Sequence, residues 1–156
     1  MKSLTVKKTK YRGRGIFANR NFKKGEKILD IKGKIITLEQ LKKLGKYALA
    51  HHLQLNENIC IGPSKDLDDL INHSCDPNAG IKIRGKKAIL ISIRNIKRGE
   101  EITCDYSTIT DDDWKMRCKC GCENCRKTIK KFQTLPKKLQ QKYIKLGVVA
   151  KYIYEK

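Results

Sequence analysis

Two stretches about thirty residues apart constrain this chain more than anything else in it. The first runs Asp68-Asp69-Leu70-Ile71-Asn72-His73-Ser74-Cys75-Asp76-Pro77-Asn78. The second runs Gly99-Glu100-Glu101-Ile102-Thr103-Cys104-Asp105-Tyr106. The first is a short apolar approach ending in polar groups, followed by an Asp-Pro-Asn turn that reverses the chain. The second is a glycine turn feeding a strand of alternating character, with Asp-Tyr at its end.

At these residues the chain resembles the SET-domain protein methyltransferases, whose two hallmarks read Asn-His-Ser-Cys-x-Pro-Asn and Glu-Glu-x-x-x-Asp-Tyr. Two such motifs in the right order are far more specific than either alone. The resemblance implies a mainly β fold with short helices: small, curved, β-clip-like sheets in which the two motif segments meet as a pseudoknot. It covers roughly residues 4–126. It divides the chain into a SET domain over 1–107, with a variable insert about 37–57, a post-SET zinc-binding segment over 108–128 and a basic C-terminal helical tail over 129–156.

The 156 residues fit one domain that can build a core without disulfides. No apolar run approaches the ~20 residues of a membrane span, and Met1–Lys8 lacks the apolar centre of a secretory signal. An intracellular protein is expected, cytoplasmic, or nuclear and chromatin-associated in a eukaryotic setting. In such a compartment the seven cysteines read as metal ligands or thiols rather than disulfides. The formal charge of +20 suits nucleic acid or an acidic partner, and says nothing about fold. Ten Lys/Arg against one acidic residue lie from Arg126 onward. Lysine is nevertheless abundant throughout, beside many isoleucines and asparagines, as AT-rich coding produces.

Taken in order, Leu4-Thr5-Val6, Gly15–Ala18 and Lys27–Ile31 read as short strands separated by turns. Tyr11-Arg12-Gly13-Arg14-Gly15 is no phosphate cradle, because no helix and no Gly-Lys-Ser/Thr follows. It is similar to the Gly-x-Gly that opens SET domains, where backbone runs close to S-adenosylmethionine and a Cβ would hold the ligand away. Thr37-Leu38-Glu39-Gln40 is a capping box, and Gly45 is a helix stop. Tyr47–Leu55 resembles the strand that follows the family's insert, and on a strand adjacent His51 and His52 point to opposite faces and are structural. Ile81–Ile93 is a hairpin about Gly85. Near the C-terminus Thr134 can cap a helix with Pro136 near its first turn; Leu139, Tyr143 and Leu146 share one face and Gly147 ends it.

The resemblance also assigns roles. Tyr106 would be the catalytic phenol at the inner end of a lysine channel, with Cys104 beside it. Gly13, Arg14, Gly15, Tyr47, Asn72, His73, Tyr106 and Trp114 would bind S-adenosylmethionine, Asn72 through its side chain and His73 through its backbone to the adenine. Most relatives carry Phe or Tyr at the position of Cys104, and that residue governs how many methyl groups fit. The smaller, weakly hydrogen-bonding Cys104 implies a permissive pocket and di- or trimethylation. Cys118-x-Cys120-x4-Cys125 is similar to the post-SET motif, whose structural Zn2+ takes its fourth thiolate from Cys75. Cys122 leaves a rival open, a local set of Cys118, Cys120, Cys122 and Cys125, though four ligands within eight residues crowd the chain.

The expected partner is a protein with a target lysine, such as a histone or another DNA-associated protein, with non-specific nucleic-acid contact through the basic surface and no membrane. A second class stays open: a zinc-dependent basic nucleic-acid-binding module whose SET-like core is inactive. Few aromatics and no helix-turn-helix or finger spacing weigh against it.

Overall fold

A computed structural model describes residues 3–155. Sixteen regular elements follow in chain order: β1 (Leu4–Lys8), β2 (Arg14–Ala18), β3 (Lys27–Ile31), β4 (Ile35–Thr37), α1 (Leu38–Lys43), α2 (Lys46–Ala50), β5 (Leu53–Gln54), β6 (Ile59–Ile61), β7 (Asn72–His73), β8 (Ala79–Arg84), β9 (Lys87–Ser92), β10 (Thr103–Cys104), β11 (Met116–Arg117), β12 (Thr128–Ile129), α3 (Lys137–Leu146) and α4 (Lys151–Tyr154). They build five small sheets: β1-β2, β3-β9-β8, β4-β6-β5, the parallel pair β7-β10, and β11-β12. No described helix is long and apolar enough to cross a membrane.

Strands this short hold only because side chains on one face share a core. Ile16, Phe22, Leu90, Ile96 and Ile102 are buried together where the β1-β2 hairpin meets the β3-β9-β8 sheet. The apolar alternation of Ala88–Ile93 becomes the central strand β9, paired on both sides, and Gly85 turns the hairpin with φ +60.

The pseudoknot is stitched by backbone and by one amide. β7 and β10 pair in parallel, Asn72 opposite Thr103 and His73 opposite Cys104, and the Ser74 N–H donates to the Cys104 carbonyl at 2.9 Å. Asn78 closes the first motif. Its Nδ2 donates to the Glu101 carbonyl at 2.8 Å, and its Oδ1 accepts from the Thr103 N–H at 3.0 Å. An asparagine serves because it both donates and accepts along a neighbouring strand.

The Thr37 capping box forms as the sequence implies. Tyr47–Leu55 does not form one strand: Lys46–Ala50 is helical and only Leu53–Gln54 extends. Tyr-Ala-Leu-Ala lacks β-branched residues and favours helix, with Gly45 opening the turn at φ +83. His51 and His52 hang from that helix end, each Nδ1 3.0 Å from a carbonyl, of Tyr47 and Leu49 respectively. They meet C-terminal carbonyls of that helix instead of pointing to opposite faces of a strand. Thr134 does not cap α3. Its hydroxyl donates to the Lys131 carbonyl, and Pro136 precedes the helix without a side-chain cap. Gly147 ends the helix in the left-handed region at φ +67.

Candidate active site and cysteine cluster

Tyr106 leaves β10 and opens a 3₁₀ turn over Tyr106–Ile109, capped by the Asp105 side chain, which accepts from the Ser107 N–H. Its ring points into a cavity of about 730 Å³, whose walls include Arg14, Asn72, Cys104 and Trp114. Its hydroxyl donates to the Ile71 carbonyl at 2.7 Å. Burial pushes the phenol pKa well above its ordinary value, so the group stays protonated at neutral pH and cannot act as a base. With its proton held by Ile71, the oxygen's lone pairs remain for another partner. Cys104 is buried next to it, and burial raises its thiol pKa to about 12.

Asn72 spends both amide protons within the chain, on the Arg14 carbonyl at 3.0 Å and on Glu101 Oε1 at 2.8 Å. This ties the Gly-x-Gly strand to both motifs. It also explains Gly15: a Cβ there would lie 2.5 Å from Glu101 Oε1 and 2.7 Å from Asn72 Nδ2. Crowding at Gly15 thus comes from the chain itself, and Gly13 serves by its positive φ of 72 with open space around it. The Asn72 side-chain oxygen is left as an acceptor.

The cavity does not gather every residue the sequence nominates. Gly13, Gly15, Tyr47 and His73 are not among its walls. Tyr47 borders a neighbouring cavity of about 830 Å³ that shares Arg14, Asp69 and Leu70. Its hydroxyl donates to Asp69 at 2.9 Å, and its ring stacks on His51 at 4.2 Å. The backbone carbonyl of His73 accepts from the Arg12 guanidinium, which also pairs with Glu101 at 2.6 Å.

The His73 side chain is buried and bonded within the chain. The Tyr106 N–H donates to Nδ1 at 3.1 Å, so the proton sits on Nε2, which lies 3.3 Å from Cys75 Sγ. Nδ1 also lies 3.6 Å from Asp105 Oδ1. That approach is not an ion pair, because burial lowers the His73 pKa to about 4.

Cys75, Cys118, Cys120 and Cys125 bring their sulfurs within 4.8 Å of one another, with Cys75 and Cys118 at 3.7 Å. Tetrahedral zinc with Zn–S bonds of ~2.3 Å sets its sulfurs roughly 3.8 Å apart, so the set is consistent with a zinc site. Backbone N–H groups of Cys120, Arg126 and Lys127 point at Cys118, Cys75 and Cys125 sulfurs from 3.4–3.5 Å. Such donors stabilise thiolates and orient them. Cys122 stands outside the set, 3.4 Å from Cys120 Sγ. The antiparallel pair β11-β12 closes the loop that carries the cluster.

Sequence reasoning missed three residues here. Arg126, Asp105 and Tyr143 form a cluster beside Tyr106, with Asp105 and Tyr143 buried and Arg126 half-buried. Arg126 grips Asp105 through two bonds of 2.8 and 2.7 Å, and the Tyr143 hydroxyl donates to Asp105 at 3.1 Å. The only local signal was the placement of Asp105 before Tyr106 and of Arg126 after Cys125.

Comparison with known proteins bears on this geometry. The model of the SET domain matches residues 13–107. The chain is 33% identical over 136 residues to the Drosophila melanogaster histone-lysine N-methyltransferase trr, covering 77% of this chain and 5% of that protein. It is 33% identical over 127 residues to human histone-lysine N-methyltransferase 2B, covering 74% of this chain and 5% of that one. The chain therefore spans a small fraction of these relatives. Among solved structures, KRYPTONITE in complex with mCHG DNA and SAH aligns with a TM-score of 0.67 at 22% identity, covering 81% of this chain and 28% of that one. That likeness speaks to the fold.

Proposed function

The chain belongs to the SET-domain family, and from that premise we propose that it transfers a methyl group from S-adenosylmethionine to a lysine ε-amine of a protein. The observation that carries this reading is the Tyr106 phenol, held by the Ile71 carbonyl inside a cavity walled by Asn72, Arg14 and Cys104. The named relatives, histone-lysine methyltransferases, support a protein acceptor.

S-adenosylmethionine would supply an electrophilic methyl on a sulfonium. The Asn72 side-chain oxygen would accept from its α-ammonium, and the His73 carbonyl, which here accepts from Arg12, would accept from its adenine amino group. Tyr106 would orient the amine and meet the methyl hydrogens through weak C–H···O contacts. It would do so as a neutral phenol. Lysine, with pKa ~10.4 in water, must reach the tyrosine uncharged. A desolvated channel next to a sulfonium disfavours a second cation, so deprotonation needs no dedicated base, and alignment supplies much of the rate. A labelled-methyl transfer screen on histones, other chromatin proteins and ribosomal proteins tests the reading, and no transfer to any of them would defeat it.

Product multiplicity follows from Cys104. It offers neither the bulk nor the hydroxyl of a tyrosine, so the reaction should run to di- or trimethyl lysine. In Cys104→Tyr the product should stop at monomethyl. Mass spectra showing monomethyl lysine alone from both chains at long times would reject the idea.

Part of the +20 charge is concentrated on one surface. Lys137, Lys138, Lys142 and Lys145 are exposed along α3, opposite its buried face. We assign this face a sequence-independent contact with nucleic acid that brings the enzyme to chromatin-bound substrates. Affinity for a random duplex should fall with a log–log salt slope of about −4, as four displaced counterions imply. Unchanged binding after reversing these four charges would remove the assignment.

A further inference from the structure

The C-terminal helix lies beyond the matched SET region and lends no residue to the Tyr106 cavity, yet one of its side chains reaches the residue next to Tyr106. We infer that Tyr143 is a positioning residue for Tyr106, acting through the Asp105 carboxylate, so that α3 belongs to the frame that aims the phenol. The inference rests on the proposed role of Tyr106.

Asp105 is 1% exposed, and a carboxylate so placed must be surrounded by donors. Its Oδ1 accepts from the Ser107 N–H at 3.1 Å and from Arg126 Nη2 at 2.7 Å. Its Oδ2 accepts from Arg126 Nη1 at 2.8 Å and from the Tyr143 hydroxyl at 3.1 Å. Arg126 Nη2 also reaches Ser107 Oγ at 3.2 Å. The first of these bonds caps the turn that begins at Tyr106. The others decide where the carboxylate sits, and so how that turn leaves β10. Three separate parts of the chain meet here: the second motif, the cysteine loop and α3.

The helix does not depend on this bond for its place. After Gly147 the chain returns to the sheet, and Val148 packs on Gly80 of β8 so closely that a Cβ on Gly80 would lie 2.7 Å from Val148 Cβ. Phe132, Leu135, Val149 and Ile153 join Ile91 and Ile93 in one buried cluster. The Tyr143 ring is part of that packing, and its hydroxyl alone extends to Asp105. Tyr143→Phe therefore keeps the ring and the docking and removes one hydrogen bond to a buried charge. Such bonds are stronger than neutral ones.

Two measurements on the full zinc-loaded chain decide the matter. With core histones as acceptor, Tyr143→Phe should lower kcat about tenfold, while KM, the dissociation constant for S-adenosylmethionine and zinc content stay within twofold. Independently of any activity, amide exchange at Tyr106 and Ser107 should accelerate about tenfold, with the β3-β9-β8 amides unchanged. A kcat within twofold of the parent would overturn the inference even if the melting temperature fell, since a merely structural tyrosine behaves that way. Unchanged exchange at Tyr106 and Ser107 would overturn it too. Should the parent chain transfer no methyl to any acceptor, the proposed function fails, and exchange alone decides whether Tyr143 fixes the turn.

Discussion

Tyr106→Phe should abolish most methyl transfer, lowering kcat about 10²–10³-fold, while S-adenosylmethionine binds with near-parental affinity. The size comes from what preorganised polar groups at a reacting centre are worth, roughly 3–4 kcal/mol each. Phenylalanine keeps the ring that walls the cavity and removes the oxygen that would meet amine and methyl. It also leaves the Ile71 carbonyl without its donor, a cost to stability of about 1–3 kcal/mol. The two effects separate, because a thermal shift reports the orphaned carbonyl and single-turnover rates with bound cofactor report the chemistry. If Tyr106 were an ordinary buried tyrosine, the thermal shift would appear and the rate would hold. A variant that melts lower but transfers methyl at the parental rate would end the catalytic assignment. Because burial raises the Tyr106 pKa, no limb of the parental pH–rate profile below pH 10 should belong to this phenol.

What could be read from the chain without its structure depended on how local the signal was. The two motifs were legible because each packs its special side chains into a few consecutive residues. The Thr37 capping box and the Gly147 stop were legible for the same reason, since caps are decided by atoms within one turn. Tyr47–Leu55 misled because the strand there rests on the family resemblance rather than on its own residues. Among five residues poor in β-branching, helix propensity was the better guide. At Gly15 the structure supplies a reason for glycine within the chain itself. A glycine required by close approach looks the same in sequence whether the neighbour is a ligand or, as here, Asn72 and Glu101. The Asp105–Arg126–Tyr143 cluster left little local signal beyond the motif neighbours of two of its members. Its members are 21 and 17 residues apart in order, share no periodicity, and read singly as a motif aspartate, one more basic residue and a core tyrosine.

The cysteine cluster gives the second large effect, since it joins that network to both motifs. Cys75 Sγ faces the His73 Nε2–H and the Arg126 N–H, and the Arg126 side chain holds Asp105. A metal bound by Cys75, Cys118, Cys120 and Cys125 would therefore fix the loop between β11 and β12 against the pseudoknot. Trp114 and Met116, which wall the cavity, lead directly into that loop. Cys75→Ser, or exhaustive chelation, should remove one zinc per chain and lower the melting temperature by about 10 °C. That shift corresponds to roughly 3 kcal/mol for a domain of this size. Methyl transfer should fall by at least tenfold, and amide exchange should rise over 116–129 while the β3-β9-β8 sheet stays protected. Cys122→Ser should keep its zinc and most of its activity, because Cys122 stands beside the set rather than in it. The opposite pattern, zinc kept in Cys75→Ser and lost in Cys122→Ser, would move the site wholly into the loop. The metal would then tie the loop only to itself, and the coupling of zinc to Tyr106 through His73 and Arg126 would have to be abandoned.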